Sequence, residues 1–150
     1  MPSPIDPRTN PDGKTGKSRR KNSGDPELQE FFDRFTRALT AGDGKAVAEM
    51  WETPAYFIGD EMIRSEEDPV EVEKFFGSAK DMYASKGISG TFAELGPVQW
   101  VTERIAEVDV RFPWLDAQGN ERGEESSRYT LRRGDDGALR LCVAVMRGEK

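Results

Sequence analysis

The order in which hydrophobic periods follow one another along the chain is its tightest constraint. Apolar residues first recur at three- and four-residue spacing, then switch to every second residue. Leu28, Phe31, Phe32, Phe35, Ala38 and Leu39 fall on one helical stripe. Asp25 and Pro26 supply a cap and a first-turn proline in front of it, and Gly42 a left-handed stop behind it. Asp43 caps a second, short helix through Val47, Met50 and Trp51, which Pro54 ends. Residues 55–58 read as a strand, Gly59-Asp60 as a tight turn and residues 61–64 as a short returning strand. Asp68-Pro69 repeats the start signal. Val72, Phe75, Phe76, Ala79, Met82 and Tyr83 then mark a third helix, closed near Gly87.

From there the period is two. Residues 91–95 and 98–101 suggest one long strand, bent at Gly96-Pro97. Ala106, Val108, Val110 and Phe112 alternate with Glu107, Asp109 and Arg111, the signature of a half-buried strand. Turns at 116–119 and 134–137 bracket a strand with Ser127, Tyr129 and Leu131 on one face and Arg128, Thr130 and Arg132 on the other. Residues 139–146 close the series. Striped helices need a flat apolar partner, and these strands supply it. The expected class is α+β: three N-terminal helices packed on a curved, mixed or antiparallel β-sheet of six strands.

Composition divides the chain. The 150 residues carry a net charge of −6. Residues 1–24 hold six Lys/Arg and two Asp/Glu, with only Met1 and Ile5 hydrophobic, and read as a disordered basic tail. Residues 25–150 hold 16 Lys/Arg and 26 Asp/Glu and read as a single folded domain. An acidic domain repels phosphate backbones, so nucleic acid is not its expected partner. The single cysteine, Cys142, excludes an internal disulfide and reads as an inert small hydrophobe. The absence of histidine removes Ser-His-Asp chemistry and His-ligated metal, and no metal or cofactor is expected. No apolar run approaches the ~20 residues of a membrane span, and Arg19-Arg20 lacks the apolar stretch of an export signal. Cytoplasmic residence is the default expectation.

The run Arg34-Phe35-Thr36-Arg37-Ala38-Leu39-Thr40-Ala41-Gly42-Asp43, followed by Val47, Met50 and Trp51, resembles the opening of the nuclear transport factor 2-like superfamily. The strand-turn-strand over residues 129–145 resembles its close. That group includes ketosteroid isomerases and SnoaL-type polyketide cyclases. The resemblance implies a cone-like, cystatin-type roll over residues 27–148, with an internal apolar cavity and often a dimer through the outer sheet face. It does not carry the isomerase site across. The position of the proton-shuttling aspartate falls on Gly59, that of the hydrogen-bonding tyrosine on Phe35, and that of the second acid near Ser127. A one-residue slip brings Asp60 to the base position.

The expected function is binding of a hydrophobic small molecule, with SnoaL-like cyclase, isomerase or lyase chemistry as its catalytic form. In that form Asp60 is the base, Tyr56 or Tyr83 the hydrogen-bond donor and Arg111 the charge stabiliser. Trp51, Tyr56, Met62, Tyr83 and Trp100 are the expected ligand contacts, with Met50 and Met82 as adaptable walls. Each assignment has a plain counterpart: Asp60-Glu61 as a polar turn, Glu107-Asp109-Arg111 as a solvated face, and the aromatics as ordinary core. The alternative function is a non-catalytic homodimeric interaction module. Val143-Ala144-Val145-Met146, apolar on both faces, supports a homodimer in either case.

Overall fold

The structure is a computed structural model that describes residues 25–149. The basic segment 1–24 lies outside the described residues. The elements run α1 (Pro26–Ala41), α2 (Gly44–Ala48), β1 (Trp51–Gly59), β2 (Met62–Glu66), α3 (Pro69–Gly77), α4 (Ala79–Ser85), β3 (Gly90–Thr91), β4 (Glu94–Trp100), β5 (Ile105–Leu115), β6 (Glu121–Arg133) and β7 (Leu139–Glu149). The strands form a single mixed sheet ordered β2-β1-β7-β6-β5-β3, with β4 also paired to β5. All neighbours are antiparallel except β1 and β7, which run parallel. The helices pack against this curved, unclosed sheet, so the α+β expectation describes the molecule.

Three aspartates start three helices. Asp25 Oδ1 accepts from Leu28 N at 3.1 Å, Asp43 Oδ1 from Ala46 N at 3.0 Å and Asp68 Oδ1 from Val70 N at 2.9 Å. Gly42 ends α1 in the left-handed conformation, φ 73°, and its N–H donates to the last-turn carbonyls. The helix α1 then buries Leu28, Phe31, Phe32, Phe35 and Leu39. Full burial of each such side chain contributes about 1.5–3 kcal/mol.

Four expectations need correction. The third helix is two, α3 and α4, broken at Ser78 with ψ near 1°. The break follows a backbone contact: a Cβ on Gly44 of α2 would stand 3.1 Å from the Gly77 Cα and 2.6 Å from the Glu73 carbonyl. Gly and Ser, both weak helix formers, make this the point where the helix yields. Trp51 does not end α2; it opens β1, because Met50 O accepts from Leu141 N at 2.8 Å and docks the chain onto β7. The sheet has seven strands, since Gly90–Thr91 adds a short pairing to the end of β5. The β1–β2 turn is Asp60-Glu61, with Gly59 still paired to Met62 in the ladder.

The concave face of the sheet is apolar. Ala106, Val108, Val110, Phe112 and Trp114 of β5 point inward, as do Ser127, Tyr129 and Leu131 of β6. The convex face carries ion pairs. Asp109 binds Arg128 and Arg147, and Glu52 takes both donors of Arg132 at 3.2 and 2.7 Å. Arg128 and Arg147 hold the Asp109 carboxyl below its usual range. Inside, aromatic rings run in contact from Phe31 through Phe32 and Phe35 to Phe76, Trp51, Phe57 and Phe75.

Candidate functional site

The residues singled out in the sequence are scattered over the fold. Asp60 sits exposed in the β1–β2 turn. Tyr56 points from β1 to the convex face, 42% exposed, opposite Ser65 and Val143. Arg111, also convex, is held by Glu94, Glu121 and Glu124, which leaves it committed to structure. Asp60, Tyr56 and Arg111 therefore do not converge. Trp51 is buried among Phe57 and Phe76, with ring centroids 4.8 and 5.8 Å away. Phe57 stacks on Phe75 at 4.7 Å, so side chains occupy the space beside Trp51. Met62 is half-buried against this core. Trp100 stands 37% exposed, donates to Asp25 Oδ2 at 3.1 Å and lies under the Arg133 guanidinium. Cys142 is half-buried on the convex side. Burial, then the Glu52 carboxylate, pushes its thiol up to about 11, in keeping with an inert role.

Tyr83 alone among these reaches a place where polar groups gather on the concave side. It packs with Ile88 and Trp114 in a second, smaller apolar cluster at the end of the sheet where β6 begins and β7 finishes. Register brings the rest. Phe112 of β5 pairs with Glu125 of β6, and Glu125 pairs in turn with Glu149 of β7. Glu125, Ser127 and Tyr129 alternate along one strand, so they share a face. The glycine at 148, φ 85°, lies beside a register shift between Ser126 and Ser127 that sets Glu149 opposite Glu125. Lys86, just past α4, reaches across to Glu149 Oε1 at 2.7 Å and lies over the Trp114 ring at 4.8 Å.

The electrostatics of this cluster differ from those of the surface. Burial, then the Glu149 carboxylate, lifts Glu125 from the ordinary 4.5 to about 7; Lys86 opposes the shift. Burial likewise raises the phenols of Tyr83 and Tyr129, and Glu125 adds to both. Ser127 opposes the shift at Tyr129 slightly. The indole N–H of Trp114 is buried without a hydrogen-bond partner. The cluster thus combines a carboxyl that changes charge near neutrality, phenols that stay protonated, and an unmatched donor. This set is equipped to hold a polar group and to move a proton.

Extending the period-two face of Ser127 and Tyr129 by two residues reaches Glu125, and that was the available signal. Its place in an acid-rich stretch, Glu121 to Glu125, masks that signal. Among the described residues no three acidic or cysteine side chains are placed to hold a metal ion. At the opposite end of β6 and β7, a groove of about 280 Å³ lies between α1 and the β6–β7 turn, lined by Glu27, Arg34, Glu49 and Arg140 among others.

The family model described as NTF2-like protein (DUF6841) matches residues 26–149. Among curated proteins, none matches the chain. A Nostoc punctiforme domain of unknown function with a cystatin-like fold is 20% identical at a TM-score of 0.65, covering 81% of this chain and 75% of that one. An NTF-2 like protein of unknown function from Shewanella oneidensis is 11% identical at 0.62, covering 82% and 98%. A candidate scytalone dehydratase from Novosphingobium aromaticivorans is 12% identical at 0.57, covering 82% and 83%. At these identities the likeness is one of fold.

Proposed function

This chain belongs to the NTF2-like protein (DUF6841) family, and on that footing we propose that it binds a small, partly apolar molecule against Glu125, Tyr83 and Tyr129. The observation that carries this reading is the placing of the Glu125 carboxyl on the concave face, beside two buried phenols. In its catalytic form the site performs proton transfer of the dehydratase, isomerase or cyclase kind. Ionised Glu125 takes a proton from a carbon next to a carbonyl. Tyr83 or Tyr129 donates a hydrogen bond to the oxygen that gains charge. Protonated Glu125 then returns the proton to another carbon, or to a leaving hydroxyl that departs as water. The steps balance within the substrate and call for no cofactor. The candidate scytalone dehydratase among the structural neighbours supports this class of reaction.

Glu125 replaces Asp60 as the base in this proposal, Tyr83 keeps its role as donor, and Arg111 has none. The test is a thermal-shift screen of hydroxylated aromatic, polyketide-like and steroid-like compounds against wild type, Glu125→Gln and Tyr83→Phe. Ligands that raise the melting temperature of wild type and lose that effect in both variants support the site. A screen in which no compound raises it ends the reading.

One observation favours a second reading, the homodimeric interaction module. Rings fill the space around Trp51, while Tyr56, Ile58, Ile63, Val143 and Val145 share the convex face at β2, β1 and β7. Ile63 is 81% exposed and Val145 41%. A second copy on this face would cover them. Sizing of wild type against Val145→Asp decides it: a dimer that the variant dissolves supports the module, and a wild-type monomer removes it. No helix among the described residues is long and apolar enough to cross a membrane. Cytoplasmic residence remains part of the proposal.

A further inference from the structure

The Trp114 end of the sheet already seats one ammonium. Lys86 Nζ lies 4.8 Å from the centre of the Trp114 ring and 2.7 Å from Glu149 Oε1. An ammonium over an indole face, tied to a carboxylate, is a favourable seat for an organic cation. The seat exceeds what one tethered lysine requires. A second carboxyl, Glu125, stands opposite Glu149 with no ion-pair partner among the described residues. The ring is packed against Tyr83 and Ile88. Lys86 reaches this seat from a partly exposed position. Its side chain is 38% exposed, on a flexible stem that reaches water without moving the backbone.

We infer that this end of the sheet recognises a small organic cation, an amine or quaternary ammonium bearing an apolar group, which displaces Lys86 from Trp114 and Glu149. The inference rests on the small-molecule reading of the same site and adds the charge class of its ligand. The ligand's cationic head takes the ring face between the two carboxyls, where a carboxylate ligand would meet like charge. The groups facing Glu125 are Glu149 from β7, Lys86 after α4, Tyr83 from α4 and Tyr129 on its own strand. Burial and the Glu149 carboxylate raise the Glu125 carboxyl to about 7, so it changes charge near neutrality. Cation affinity therefore rises with pH through that titration, as the second carboxylate forms.

The full-length protein is titrated calorimetrically with benzyltrimethylammonium, benzyl alcohol and benzoate, in wild type, Lys86→Met, Glu125→Gln and Trp114→Phe. The cation binds wild type about tenfold more tightly than the alcohol, and benzoate binds least. Lys86→Met tightens cation binding several-fold by removing the competitor. Glu125→Gln weakens it and flattens its pH dependence, and Trp114→Phe weakens it. Alcohol or benzoate binding as tightly as the cation overturns the charge class and leaves the small-molecule site standing. Unchanged or weaker cation binding in Lys86→Met overturns the displacement. No binding by any probe overturns the inference, and the compound screen then decides the small-molecule reading separately.

Discussion

Glu125 on β6 and Glu149 on β7 are direct cross-strand partners, so two carboxyls occupy one position at the Trp114 end of the concave face. Antiparallel neighbours of like charge are unfavourable, and the sheet accommodates this pair by keeping one of them protonated up to about pH 7.

That raised value has a definite sign in stability. The native state holds the Glu125 proton more tightly than the unfolded chain, whose ordinary value is 4.5. The contribution is fully present below 4.5 and is lost as pH rises through about 7. Wild type should therefore lose melting temperature relative to Glu125→Gln between pH ~5 and ~8. Scanning calorimetry across that range measures the difference, and parallel curves would remove Glu125 as a titrating group.

Asp60 gives the opposite expectation. It lies exposed in the Asp60-Glu61 turn, on a different strand pair from Glu125. Asp60→Asn should leave the affinity for any screen ligand unchanged and shift stability by less than about 0.5 kcal/mol. A loss of binding in this variant would return the functional site to the β1–β2 hairpin.

Gly44 is a packing glycine. Its helix crosses α3 so closely that an added methyl would sit 2.6 Å from the Glu73 carbonyl oxygen and 3.1 Å from the Gly77 Cα. Backbone cannot rotate away as a side chain does, so Gly44→Ala should cost about 1–3 kcal/mol in denaturant unfolding. Gly77→Ala, with nothing within 4 Å of the added methyl, should be tolerated.

Asp25 serves two elements at once. One carboxylate oxygen caps α1 through Leu28 N, and the other accepts from the Trp100 indole of β4. Asp25→Ala should lower stability by about 1 kcal/mol or somewhat more, because the cap and the tie to the sheet go together. Trp100→Phe should remove only the tie and cost less. Paired urea titrations of the two variants check the order.

Local chemistry made most of the elements legible. Asp25, Asp43 and Asp68 signal their helices because a short carboxylate answers free N–H groups wherever a helix begins. The alternation of Ala106 to Phe112 signals a one-faced strand because successive side chains must point opposite ways. The fold family entered as a resemblance, carried by the run from Arg34 to Asp43 and by the strand-turn-strand over residues 129–145. The break at Ser78 was not legible, because it answers a contact with Gly44, more than thirty residues earlier in the chain. Nor was the site. Asp60 and Arg111 carry the right chemistry in the sequence, yet one ends in a solvated turn and the other among three glutamates on the convex face.

What the sequence determined by itself is which residues form helices and strands and which side of each is apolar, since those depend on neighbours within a few positions. What tertiary structure alone decided is where charge is expensive. Glu121, Glu124 and Glu125 belong to one acidic run, but only Glu125 is set opposite Phe112 and Glu149 on the concave face. Burial and a like charge shift its proton affinity toward neutrality, and both come from strands that sequence distance does not connect.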